Sequence, residues 1–181
     1  MKITVPTGAD VDPAVAAVVH VEPEEARILA SLADQLQALL AEAIESPIDD
    51  DAAVRRVLPD AYRSDPELAD EWRRFSRRGL VDRKIGFART ISLALRPIAD
   101  EGLARSVSLS TDAALDWVRG IGDLRLVIAD RMGIIVDGDE GTFAEPGLRD
   151  VYDWLAWLQD GLVQVLDVDE PTTPEGAGGD D

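Results

Sequence analysis

Between residues 148 and 165, Leu148, Val151, Leu155, Leu158, Leu162 and Val165 recur at alternating spacings of three and four. That period matches the α-helix and no strand, so the segment buries a continuous face only as an amphipathic helix starting at about Gly147. Leu29, Leu32, Leu36, Leu39 and Ala43 repeat the pattern upstream. Glu22-Pro23-Glu24-Glu25 suits its start, with proline in the first turn and acids at the positive end of the helix dipole, and Pro47 ends it. Asp49, Asp50 and Asp51 precede Ala52-Ala53-Val54, a short helix running to Leu58 and closed by Pro59. Ser64-Asp65-Pro66 opens another helix with Leu68, Trp72 and Phe75 on its apolar face. Gly79 predicts a break or kink, after which Leu80, Lys84, Phe87, Ile91, Leu95 and Ile98 continue at helical spacing. Pro97 predicts a bend or an early end, and Gly102 a stop. Ser110-Thr111-Asp112 caps a further helix carrying Ala114, Trp117, Ile121, Leu124, Ile128 and Met132 on one face.

The remaining pattern is extended. Lys2-Ile3-Thr4-Val5 and residues 17–21 read as two strands around the turn residues Pro6, Gly8, Asp10, Asp12 and Pro13, a β-hairpin at about 2–21. Val107-Ser108-Leu109 reads as a short extended stretch, and Ile134-Ile135-Val136 as a short strand or loop. The expected fold class is therefore mainly α: a bundle of five or six helices with a small N-terminal β-hairpin. One domain over 1–166 is expected, followed by a disordered acidic tail over 167–181 that has too little apolar area to bury.

Charge narrows the function classes. The chain carries 18 Lys and Arg against 36 Asp and Glu, a net charge of −18. Such a surface repels phosphate backbones, so direct DNA binding and adhesion to anionic membranes are poor expectations. The deficit is uneven. Residues 55–105 hold twelve basic and eight acidic residues, a balance of +4, which leaves −22 elsewhere. Arg73/Arg77 and Arg74/Arg78 fall at i, i+4 and place four guanidiniums on adjoining faces of one turn, which is unfavourable unless acids lie opposite. Either these arginines pair with acids of neighbouring helices, or part of the cluster faces solvent and docks an acidic or phosphate-bearing partner. Trp154 and Trp157 flank the last apolar stripe and allow two readings as well: core packing, or an exposed aromatic patch for a homodimer or a protein partner.

Recognisable catalytic or cofactor motifs are missing from the sequence. Zero cysteines exclude disulfides, thiol catalysis and cysteine-ligated metals, and one histidine leaves little for imidazole chemistry. His20, between valines on an expected edge strand, reads as a half-exposed structural residue. Gly120-Ile121-Gly122 lacks the third glycine of a dinucleotide loop, and neither a P-loop nor a nucleophile elbow occurs. Asp137-Gly138-Asp139-Glu140-Gly141 departs from a calcium loop at Gly141, Thr142 and Leu148. A carboxylate-only metal-dependent hydrolase remains a remote alternative. No apolar run approaches a membrane span, and no signal-peptide pattern opens the chain, so a soluble cytoplasmic protein without a cofactor is expected.

Three blocks carry a family resemblance. Leu58-Pro59-Asp60-Ala61-Tyr62-Arg63-Ser64-Asp65-Pro66 is followed by Glu71-Trp72-Arg73-Arg74-Phe75 and Lys84. Trp117-Val118-Arg119 leads through Asp123-Leu124-Arg125-Leu126-Val127 to Arg131-Met132-Gly133-Ile134. Tyr152-Asp153-Trp154-Leu155 precedes Leu158-Gln159. Over roughly residues 15–166 the chain resembles a small actinobacterial family, filed as a domain of unknown function, that includes the oxidative-stress regulator AosR. The resemblance implies a non-enzymatic cytoplasmic regulator of transcriptional stress responses acting through a protein partner, with a sigma factor or RNA polymerase suspected. Genes of that family lie beside the one for the ClpS adaptor, so an accessory role in ClpS-linked proteolysis is the alternative. The redox-regulator role relies on cysteines, so thiol sensing is not available to this chain. The candidate partner-binding residues are Arg73, Arg74, Arg77, Arg78, Lys84, Trp154 and Trp157.

Overall fold

A computed structural model describes residues 1–6, 12–45, 51–59, 76–136, 139, 141 and 147–167. Among these residues, five helices and three strands follow in the order β1 (Lys2–Thr4), β2 (Ala17–Val21), α1 (Pro23–Glu45), α2 (Ala52–Val57), α3 (Arg77–Glu101), β3 (Arg105–Leu109), α4 (Thr111–Arg131) and α5 (Leu148–Asp167). The mainly helical class and the small N-terminal sheet agree with the sequence pattern. The helix expected from Ser64 lies outside the described residues, as does the tail expected over 167–181 except for Asp167, which closes α5.

The helical stripes become one contiguous core. Leu29, Leu36, Ile91, Leu95, Trp117, Ile121, Leu155, Leu158 and Leu162 are all buried within it. On α1 the buried face also takes in Ala26, Ala30, Ala33 and Leu40, leaving Leu32 and Leu39 at its margin. Alanines along this face allow α1 to lie close against α3. Asp34 pairs with Arg96 at 2.8 Å, and Gln37 donates to Ser92 Oγ at 3.3 Å, so the two helices run antiparallel. Helix α2 is held to α4 by Arg56–Asp130 at 3.3 Å and Arg131–Asp51 at 2.7 Å. Of the three aspartates before α2, Asp51 is the cap, its carboxylate accepting from the Ala53 amide.

Helix α3 departs from the sequence expectation at two places. Gly79 does not break it: the helix begins at Arg77 and runs through Gly79 without interruption. A glycine costs about 1 kcal/mol in a helix, and burial of Val81, Ala88, Ile91, Leu95 and Ile98 along one face outweighs that. Pro97 does not end it either. Leu93, whose carbonyl Pro97 leaves without its i+4 donor, is exposed, as is Pro97, so water reaches the freed group while Leu95 and Ile98 stay packed. Gly102 is the stop, in the left-handed conformation at φ 67°, with its amide donating to the Ile98 carbonyl.

The hairpin is two-thirds of a sheet. β2 pairs antiparallel with β1 and, on its other edge, antiparallel with β3, aligning Val19 with both Ile3 and Val107. Ala17, Val19 and Val21 point into the core while His20 points out. β2 is therefore the central strand, not an edge. His20 is exposed, not half-exposed, and sits between Ser106 Oγ at 2.7 Å and Thr4 Oγ1 at 3.3 Å. Residues 134–136 form no strand, though Ile134 is buried.

Close approach of α4 to α3 depends on Gly120. A Cβ there would lie 2.9 Å from Ile91 Cδ1 and 3.3 Å from the Phe87 carbonyl carbon. Gly120→Val is expected to destabilise the fold by about 1–3 kcal/mol through overpacking, lowering Tm by roughly 3–10 °C. Thermal melts followed by far-UV circular dichroism check this, and an unchanged Tm would show that the two helices separate freely.

Candidate functional site

Helix α4 is flanked by α3 on one side and α5 on the other, both antiparallel to it. Lys84 and Phe87 on α3 meet Asp123 and Arg119 on α4. Gln159 on α5 donates to the Val118 carbonyl at 3.0 Å and accepts from Arg125 at 2.7 Å. The three helices leave a groove of about 1010 Å³ between them. Its depth comes from small residues on α4. Gly122 has no side chain to fill the floor, and a Cβ there would already lie 3.0 Å from Gln159 Nε2.

The lining is amphipathic. Leu80, Phe87, Val118 and Leu126 supply apolar surface, and Arg83, Lys84, Arg119 and Arg125 supply four cations against one anion, Asp123. The local charge of +3 stands out on a chain of −18. Two of the guanidiniums are held over rings: Arg119 lies 5.4 Å from the Phe87 centroid, and Arg125 lies 5.0 Å from that of Tyr152. Arg119 also reaches Asp116 at 3.4 Å, one turn back on α4. Arg83 is exposed and has no ion-pair partner among the described residues.

Lys84 and Asp123 form the wall between α3 and α4. Lys84 Nζ is 2.6 Å from Asp123 Oδ1, and the two side chains are only 16% and 7% exposed. Oδ2 of Asp123 has no hydrogen-bond partner among the described residues. Burial pushes the Asp123 carboxyl above the ordinary carboxylate range, and the Lys84 ammonium draws it back only in part. Among the described residues, no group of three or more His, Asp or Glu side chains is placed to hold a metal ion. No helix of the described residues is long and apolar enough to cross a membrane.

The residues expected from sequence are dispersed. Arg73 and Arg74 lie outside the described residues. Arg77 and Arg78 open α3, Arg77 half-buried with a partner and Arg78 exposed. Lys84 is committed to its ion pair inside the groove. Trp154 packs against the core, whereas Trp157 on α5 is 51% exposed. Sequence reasoning did not single out Arg83, Arg119, Arg125, Tyr152 or Gln159 as a site. One signal was present: Lys84 interrupts the apolar stripe from Leu80 to Ile98, and a charge in a core-facing stripe calls for a buried partner on the facing helix.

Fold and groove together define an acidic helical protein with a small sheet and a basic, amphipathic cleft on its α3–α4–α5 side. The family described as Domain of unknown function (DUF2017) matches residues 6–166, nearly the whole chain, and the protein belongs to it. No curated protein and no solved structure matches this chain.

Proposed function

We propose that this protein is a non-enzymatic cytoplasmic regulator that works by binding another protein through the α3–α4–α5 groove. The observation that carries this reading is the lining itself: apolar side chains alternate with guanidiniums preset over aromatic rings. Arginine and aromatic side chains are the types that dominate protein interfaces. The resemblance to the actinobacterial family that includes AosR supports a transcriptional stress role, with a sigma factor or RNA polymerase as partner. Without cysteines, the regulatory signal comes from something other than thiol oxidation.

The test is binding of the full chain to purified RNA polymerase core and to the sigma factors of its host. A complex at about 10 µM or below is expected with one of them, weakened about tenfold or more by Arg119→Glu. No complex with any of them at that concentration overturns the transcriptional reading.

A further inference from the structure

We infer that the groove takes an amphipathic helix of a partner protein whose flanking side chains are acidic. Its apolar anchors would rest on Phe87, Val118 and Leu126, and its carboxylates on Arg83, Arg119 and Arg125. The inference deepens the reading above by naming the chemistry of the partner segment, and it rests on that reading for the claim that the occupant is a protein.

Size is the first argument. Along α4 the groove runs from Val118 to Ala129, eleven residue steps or about 16 Å of helix. That length matches about three turns of a docked helix. A volume of about 1010 Å³ is at the upper limit for a cleft that encloses a small molecule, which is roughly 300–1000 Å³. A small anion would satisfy one guanidinium and leave the apolar floor wet. A helix laid between α3 and α5 covers floor and rim together, using anchors at i, i+3/i+4 and i+7.

Charge is the second. The lining carries +3 while the whole chain carries −18. A nucleic acid presents dense charge over a long reach and meets the repulsion of the remaining surface. A short acidic segment feels mainly the charges within a Debye length of about 8 Å, where Arg83, Lys84, Arg119 and Arg125 outnumber Asp123 and the Asp116 beside Arg119. Guanidiniums bind carboxylates through paired, planar N–H donors. Arg119 is already oriented by Phe87 and Arg125 by Tyr152 and Gln159, so little side-chain freedom is lost on docking. Leu126 and the Arg119 side chain are 40% and 53% exposed and Arg83 is exposed, so these reach a partner directly, while Phe87, Val118 and Arg125 are half-buried in the floor between them.

Panning a phage-displayed library of roughly fifteen-residue random segments on the full chain tests this. Enriched sequences are expected to combine Asp and Glu with Leu or aromatic anchors at helical spacing. A synthetic peptide of that kind should bind about tenfold or more weakly to Arg83→Glu and to Arg119→Glu. Both sites are exposed, so the variants should keep the far-UV spectrum of the parent. A peptide with its acids changed to lysine should regain binding to Arg119→Glu. Enriched sequences without excess acid, or acidic peptides that bind parent and variants alike, overturn the inference. Displacement of the peptide by inorganic phosphate or a short DNA duplex also overturns it, since either would be the better ligand. If peptides behave as expected but polymerase and sigma factors do not bind, the groove inference stands and the transcriptional reading falls. If a polymerase or sigma factor binds parent and Arg119→Glu alike, the groove inference falls.

Discussion

Lys84→Met is expected to destabilise the protein by about 3–5 kcal/mol at pH 7, because it leaves the Asp123 carboxylate buried and unpaired. The double variant Lys84→Met/Asp123→Leu should recover most of that loss, since an apolar pair avoids desolvating two ions. The strong coupling follows from geometry: a 2.6 Å contact between side chains 16% and 7% exposed. pH dependence gives a second reading of the same pair. Burial raises the Asp123 carboxyl, with Lys84 opposing. The folded state then binds this proton more tightly than the unfolded chain. Asp123 contributes stability that is present in full below the ordinary carboxylate value and lost as pH rises through the raised one. Removing Lys84 raises the carboxyl further, so the deficit of Lys84→Met should shrink as pH falls from 7 toward the carboxylate range. Urea titrations of the single and double variants measure these terms. A deficit independent of pH, or a double variant no better than the single one, would show that the pair is not the source of the effect.

Trp117→Ala is expected to cost about 3–5 kcal/mol, the range for emptying a buried large aromatic site. Trp117 is fully buried, and it lies on the α4 face that also carries Ile121 and Leu124. Its indole N–H finds no partner among the described residues. Trp117→Phe should therefore be much milder, below about 2 kcal/mol, since it removes an unmatched donor while keeping most of the ring. The midpoint of urea unfolding should move with an unchanged slope, marking a change of stability alone. Equal losses for Ala and Phe would mean that the N–H is satisfied and contributes to the core.

Local structure was largely legible because its causes are local. The three–four alternation of residues 148–165 marks α5, and four of its six positions, Leu155, Leu158, Leu162 and Val165, are buried. Ser110 and Asp51 cap α4 and α2 because a short side-chain acceptor reaches the second or third amide wherever a helix begins there. Errors arose where tertiary packing outweighs propensity. Gly79 and Pro97 break helices that gain nothing by continuing, but Gly79 stands in the first turn of α3, ahead of its buried face, and Pro97 has Leu95 and Ile98 buried on either side of it. His20 looked peripheral because β3, which joins β2 from 86 residues away, left only a short extended stretch in the pattern.

The candidate site was legible only in fragments. Basic residues 55–105 drew attention as a run, yet the groove takes only Arg83 and Lys84 from it and adds Arg119 and Arg125 from a helix of its own. Stretches noted for other reasons, around Trp117, Asp123 and Tyr152, contain most of the remaining lining.

What the sequence determined by itself was the helical class, most of the inward face of each long helix, most of the caps and the absence of cysteine chemistry. Each of these depends on residues within about one or two turns of one another, or on composition alone. What the tertiary structure decided was the third strand, the commitment of Lys84 to Asp123 and the convergence of three arginines on an apolar cleft. Those depend on which helices become neighbours. That choice is made by packing volumes such as the missing side chain of Gly120, which periodicity does not encode.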